Sequence, residues 1–140
     1  MNDMSRIWRM PTPPPDRSLV EAMTRGFMGR CPSCGRGRLF RSYLKVVNTC
    51  EICGEDLTGH RADDAPAYVT LLIVAHVVGA GILISEEIWP HSSMLLVALI
   101  WLAVTVVASL IILPRAKGAI VGQQWALGMH GFASHLSNKT

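Results

Sequence analysis

Residues 30–54 read RCPSCGRGRLFRSYLKVVNTCEICG: two Cys-x-x-Cys-Gly knuckles, Cys31/Cys34 and Cys50/Cys53, with 15 residues between them. Two residues between ligands let a tight turn aim both sulfurs at one ion. The glycine after each second cysteine relieves crowding where backbone N–H groups turn toward the thiolates. The spacing is that of a zinc site. Four thiolates close a tetrahedral site with no open position, which points to a structural ion held by Cys31, Cys34, Cys50 and Cys53. Cu(I) and an iron–sulfur cluster are the alternatives, since thiolates bind both. Thioredoxin-type redox chemistry needs one pair and a βαβ context, which is absent. Leu39-Phe40 and Tyr43–Val47 have strand-like composition. A module this short buries too little apolar surface to fold alone. A structural zinc contributes about 10–16 kcal/mol of apparent binding energy, which becomes folding energy.

Downstream the composition changes. No charged residue occurs in the 21 positions between Asp64 and Glu86, or in the 27 between Glu87 and Arg115. A bilayer core about 30 Å thick takes about 20 apolar residues as a helix. Both Ala65–Ser85 and Met94–Leu113 meet that length, and the remaining polar chain is too short to cover two such helices in water. The fold class expected is therefore a membrane protein. A small zinc-ribbon-like β module precedes a two-helix transmembrane hairpin, with short amphipathic helices on either side.

The expected organisation runs as follows. Residues 1–17, with Pro11, Pro13, Pro14 and Pro15, form a disordered arm. Residues 18–29 form a short helix opened by the capping-box spacing Ser18-Leu-Val-Glu21. Its stripe Leu19, Val20, Met23 and Phe27 faces either the metal module or the lipid interface. Residues 30–60 are the cysteine module. Residues 65–85 and 94–113 are the spans, with an external loop at 86–93 in which Trp89 is an interfacial anchor. The second span ends at Pro114. Residues 114–140 hold a further helix and tail, with Val121, Trp125 and Met129 on one stripe.

Ten of the 13 Lys and Arg residues precede the first apolar run, Arg115 and Lys117 follow the second, and the loop has none. The N-terminal stretch has no apolar segment of the kind a signal peptide needs. By the positive-inside rule both termini are cytoplasmic. The basic residues Arg30, Arg36, Arg38, Arg41 and Lys45 fit a face near anionic headgroups better than a nucleic-acid site, and no nucleic acid is expected. In a reducing cytoplasm the cysteines are metal thiolates rather than disulfides.

Other polar residues carry weaker signals. His76 lies mid-span, where an ionisable group is a functional candidate by default. The second span has no histidine to complete a haem site. A neutral His76 joining the helices near Trp101 and Thr105 is the favoured reading. Gly79 and Gly81 read as points of close helix approach. Asp63 and Asp64 precede Pro66 at a helix start, where negative charge meets the dipole. They read as a helix cap, or as an interaction site for a cation or Arg61. No Ser/His/Asp set, phosphate loop or paired inward carboxylates occurs, so the chain reads as non-enzymatic.

Arg30-Cys-Pro-Ser-Cys-Gly, Gly37-Arg-Leu-Phe40, Cys50-Glu-Ile-Cys-Gly54, Ala62-Asp-Asp-Ala-Pro66 and Pro114-Arg-Ala-Lys-Gly118 together resemble the bacterial membrane family catalogued as domain of unknown function 983. The resemblance spans roughly Gly26–Trp125, with Ala65 standing where the family pattern has Gly. It implies a zinc-ribbon-like head on two membrane helices, in the bacterial inner membrane. Members are often encoded near cytochrome oxidase genes, which implies a role in respiratory-complex biogenesis. The expected function is a zinc-binding accessory or assembly factor acting on a larger membrane complex. The alternatives are a protein that handles Cu(I) or zinc, and a small homo-oligomeric transporter or cofactor binder using His76.

Overall fold

A computed structural model describes residues 17–61, 64–129 and 132. The expectations for the proline-rich arm, for Asp63 and for most of the C-terminal tail fall outside those residues. Five elements follow in order: α1 (Leu19–Phe27), β1 (Phe40–Ser42), β2 (Lys45–Val46), α2 (Ala65–Ile88) and α3 (Met94–Ala126).

Ser18 caps α1 as its spacing requires, its hydroxyl accepting from the Glu21 N–H at 3.4 Å. The return half of the capping box does not form. Glu21 instead pairs with Arg25 one turn on, and Arg25 also donates to the carbonyls of Pro32 and Ser33 at 3.2 and 2.9 Å. That side chain ties α1 to the first cysteine knuckle. Within the protein, the main packing partner of α1 is the far end of α3 rather than the cysteine module. Ala22 and Gly26 are buried there, and a Cβ on Gly26 would collide with the Gly118 carbonyl. Small residues win this face because they let two backbones touch. The large residues Val20, Phe27 and Met28 stay exposed.

β1 and β2 pair antiparallel, Phe40 with Val46 and Ser42 with Lys45. The turn between them leans on α3: Lys117 Nζ donates to the Leu44 carbonyl at 2.8 Å. Leu39, Val46 and Leu57 from the module meet Ala22 of α1 and Val121, Trp125 and Ala126 of α3 in one core, joined by Phe132. Met129, expected on the Val121–Trp125 stripe, is 40% exposed.

Pro66 lies in the first turn of α2, where its missing N–H costs no helical bond. α2 continues to Ile88, so the loop is shorter than expected. The two long helices are apolar enough to cross a membrane, and the most apolar stretch of α3 has no buried residue.

The larger departure is at Pro114. The sequence places a helix end there, yet α3 runs through it to Ala126. Proline removes the N–H that would bond the carbonyl four residues back. That carbonyl belongs to Leu110, and the Tyr43 hydroxyl donates to it at 2.5 Å. At about 1.5 Å per residue, the 33 residues of α3 reach about 50 Å. Its part beyond Pro114 is the post on which α1 and the cysteine module are mounted.

The hairpin is fastened at its closed end. The Trp101 indole fills the notch over Gly81 and donates to Ser85 Oγ at 3.1 Å. Ser85 Oγ in turn donates to the Gly81 carbonyl at 2.7 Å. Gly79 meets nothing within 4 Å of a Cβ built on it, so only one of the two glycines serves this approach.

Candidate metal centre

Each knuckle is built the same way. The Gly35 N–H donates to the Cys31 carbonyl at 2.8 Å, and the Gly54 N–H to the Cys50 carbonyl at 3.0 Å. Both glycines have positive φ, +67° and +73°, a region that disfavours a side chain. The strand-like returns are matched too, with Arg30 bridging Arg38 and Thr49 bridging Asp56. The two turns face each other and present four sulfurs to one point.

Cys31 Sγ lies 3.8 Å from Cys53 Sγ, and Cys34 Sγ lies 3.8 Å from Cys50 Sγ. All four sulfurs lie within 4.8 Å of one another. Four sulfurs bonded tetrahedrally at about 2.3 Å to one ion would be about 3.8 Å apart. The sulfur spacing therefore fits a single tetrahedral ion. Cys31 and Cys50 are buried, Cys34 is half-buried and Cys53 is exposed.

Electrostatics differ among the sulfurs. The Gly37 N–H, 3.5 Å from Cys34 Sγ, is the main influence that brings the Cys34 thiol down to about 6. Burial pushes the Cys31 thiol far above its ordinary range. Desolvation raises Cys53 as well. Gly37 has a second role. A Cβ there would collide with Cys50 Sγ and lie 3.9 Å from Cys34 Sγ. Any side chain at 37 would occupy the cage. The signal in the sequence was a glycine three residues after Cys34, outside the repeated knuckle pattern.

Residues 40–125 match the family model described as Protein of unknown function (DUF983). The chain belongs to this family. The matched segment takes in the second knuckle and both long helices, while Cys31 and Cys34 lie before it. In this member of the family the cage is thus completed by sulfurs from outside the matched stretch. No curated protein and no solved structure matches the chain.

The remaining candidates sit apart from the cage. His76 is exposed on α2, and its Nδ1 lies 2.7 Å from the Leu72 carbonyl of its own helix. It does not join the two helices. Thr105 likewise bonds only its own helix, at the Trp101 carbonyl. The helix rotation that turns Gly81 and Ser85 toward α3 turns His76 away. Asp64 stands at the N-cap of α2 as expected, but its carboxylate makes no capping bond. Its carbonyl accepts from the Ala67 and Tyr68 N–H groups instead.

Gln124 went unnoticed in the sequence. Its side-chain amide accepts from the Arg61 N–H at 2.9 Å and donates to the Arg61 carbonyl at 2.6 Å. This closed pair clamps the chain leaving the cysteine module onto α3.

Proposed function

We propose that the protein is a non-enzymatic, zinc-bearing accessory factor that presents a rigid cytoplasmic head to a larger complex in a bacterial inner membrane. The observation that carries this reading is the mounting of the cage. Tyr43, Lys117 and Gln124 fix the cysteine module to α3 at three separate points. A closed ion that stabilises a fixed surface suits recognition better than turnover. Zinc is the ion the four-thiolate set favours in a cytoplasmic site. The packing of α1 on the end of α3 brings the N-terminal head and the end of the second helix together, and the positive-inside rule supports a cytoplasmic position for both. The family resemblance suggests a respiratory complex such as cytochrome oxidase as the partner.

The test is purification of the tagged protein from native membranes, with wild type beside Gln124→Ala. Co-purification of one stoichiometric membrane complex, weakened by the variant, supports the reading. Recovery of the protein alone, together with unaltered respiratory complexes in a deletion strain, refutes it. Orientation is checked in a cysteine-free background by labelling single cysteines at Ser92 and Val20 of whole cells with an impermeant reagent. Only the Ser92 site reacts if the head is cytoplasmic.

One observation favours the metal-handling alternative. Cys53 is the exposed ligand, the side from which a competing thiol could attack. An ion lost to a small chelator within minutes would favour handling; retention for hours favours the scaffold.

A further inference from the structure

A cavity of about 560 Å³ lies where α3 leaves its apolar stretch, between the C-terminal end of α1 and Pro114. Phe27, Met28, Arg30, Phe40, Pro114 and Arg115 line it. Arg30 and Arg115 are exposed, and among the described residues neither has a carboxylate partner within 4 Å. Arg115 spends one N–H on the Ile111 carbonyl at 2.9 Å, which anchors its side chain along α3 toward the apolar end. Phe27 and Met28 are 50% and 68% exposed although both are large and apolar. Two unneutralised guanidinium groups therefore share a cavity with uncovered apolar side chains. Leu110 and Ile111 continue the exposed apolar surface down α3.

We propose that this cavity seats the phosphate of an anionic phospholipid, held by Arg30 and Arg115, with an acyl chain lying along Phe27 and Met28. The forked donors of arginine match phosphate oxygens. Two positive charges favour a lipid with net negative charge over a zwitterionic one. A free phosphate would satisfy the arginines but leave the apolar wall bare. The proposal needs only that α2 and α3 span a bilayer, and stands apart from any protein partner.

The full-length, metal-loaded protein is reconstituted into phosphatidylcholine vesicles carrying trace spin-labelled phosphatidylglycerol or spin-labelled phosphatidylcholine. Electron paramagnetic resonance then reads the fraction of each label restrained by the protein. Wild type should prefer the phosphatidylglycerol label. Arg30→Gln and Arg115→Gln should each lower that preference roughly fivefold, about 1 kcal/mol apiece. Arg36→Gln, an exposed arginine outside the cavity, should lower it far less than either. Where a Gln variant fails to load its ion, Arg→Lys at that position replaces it and should still lower the preference about twofold, because an ammonium lacks the fork. Equal loss in Arg36→Gln, or no loss at Arg30 and Arg115, overturns the site. Loss of the preference on adding inorganic phosphate at constant ionic strength shows a free-anion site and overturns the lipid assignment. Protein that fails to enter vesicles refutes the membrane reading itself, a different result from insertion without preference.

Discussion

The Tyr43 hydroxyl donates to the Leu110 carbonyl at 2.5 Å, the backbone group that Pro114 deprives of its helical partner. A tyrosine in the turn of a two-stranded sheet thus repairs a long apolar helix interrupted by proline. Tyr43→Phe should destabilise the protein by about 0.5–1.5 kcal/mol, the net worth of one hydrogen bond. In a Pro114→Ala background the helix supplies its own N–H, and the same change should cost much less. Thermal unfolding of the four proteins in detergent gives the coupling. Additive effects would mean that the hydroxyl does not serve this carbonyl.

The sulfur cage should hold one ion per chain, read by elemental analysis. Cys31→Ser should abolish it, because Cys31 is the most deeply buried ligand. Far-ultraviolet circular dichroism should retain the signal of α2 and α3, while residues 30–57 become sensitive to protease. Full occupancy in intact Cys31→Ser protein would show that the ion is held elsewhere.

Ion affinity should rise steeply with pH. Cys31 and Cys53 have raised pKa values, so without an ion both keep their protons at neutral pH. Each must release its proton before its sulfur can bond. Cys34, near 6, is mostly thiolate by neutral pH and adds to the slope only in more acidic solution. Between pH 7 and 8 at least two protons should leave per ion, a change of about 100-fold in affinity per pH unit. Competition against a chelator of known affinity measures it. A slope of one proton or fewer would contradict the assigned protonation states.

The glycines of the long helices should respond with opposite signs. Gly118→Ala places a methyl against the Gly26 carbonyl and should cost about 1–3 kcal/mol, as overpacking does. Gly79→Ala enters open space and should be neutral or stabilising by up to about 1 kcal/mol from helix propensity. Thermal stability of the two variants in one detergent decides the matter. Equal destabilisation would show that a second surface covers Gly79.

The hairpin should loosen when Trp101 or Ser85 changes, not His76. Trp101→Phe removes the indole donor to Ser85 Oγ and should cost about 0.6–2 kcal/mol. His76→Leu leaves every bond between the helices in place. Distance measurements between spin labels on α2 and α3 report the splaying. A wider hairpin in His76→Leu than in Trp101→Phe would restore His76 to the interface.

Much of this arrangement was legible in the sequence where a short stretch carries its own chemistry. The four cysteines and their glycines define the cage by spacing alone, and the uncharged runs define the spans by length. What escaped depends on distant partners. Pro114 reads as a helix end because its compensation comes from Tyr43, 67 residues before the carbonyl it serves. Gln124 reads as one more polar residue because its target, Arg61, lies 63 positions away. His76 was misplaced for a subtler reason. Depth in a helix follows from counting residues, whereas the face it turns to a neighbour depends on rotation, which Gly81 and Trp101 set.

The shared core of Leu39, Leu57, Val121 and Trp125 imposes an order of events during synthesis. The cysteine module leaves the ribosome early, but the residues that close its underside are made only after both spans. Until the end of α3 has been made, the module has nowhere to bury those leucines. A chain stalled before α3 would show an unfinished, protease-sensitive head. Completion of the head therefore follows completion of the second long helix, an order written into the connectivity of the chain.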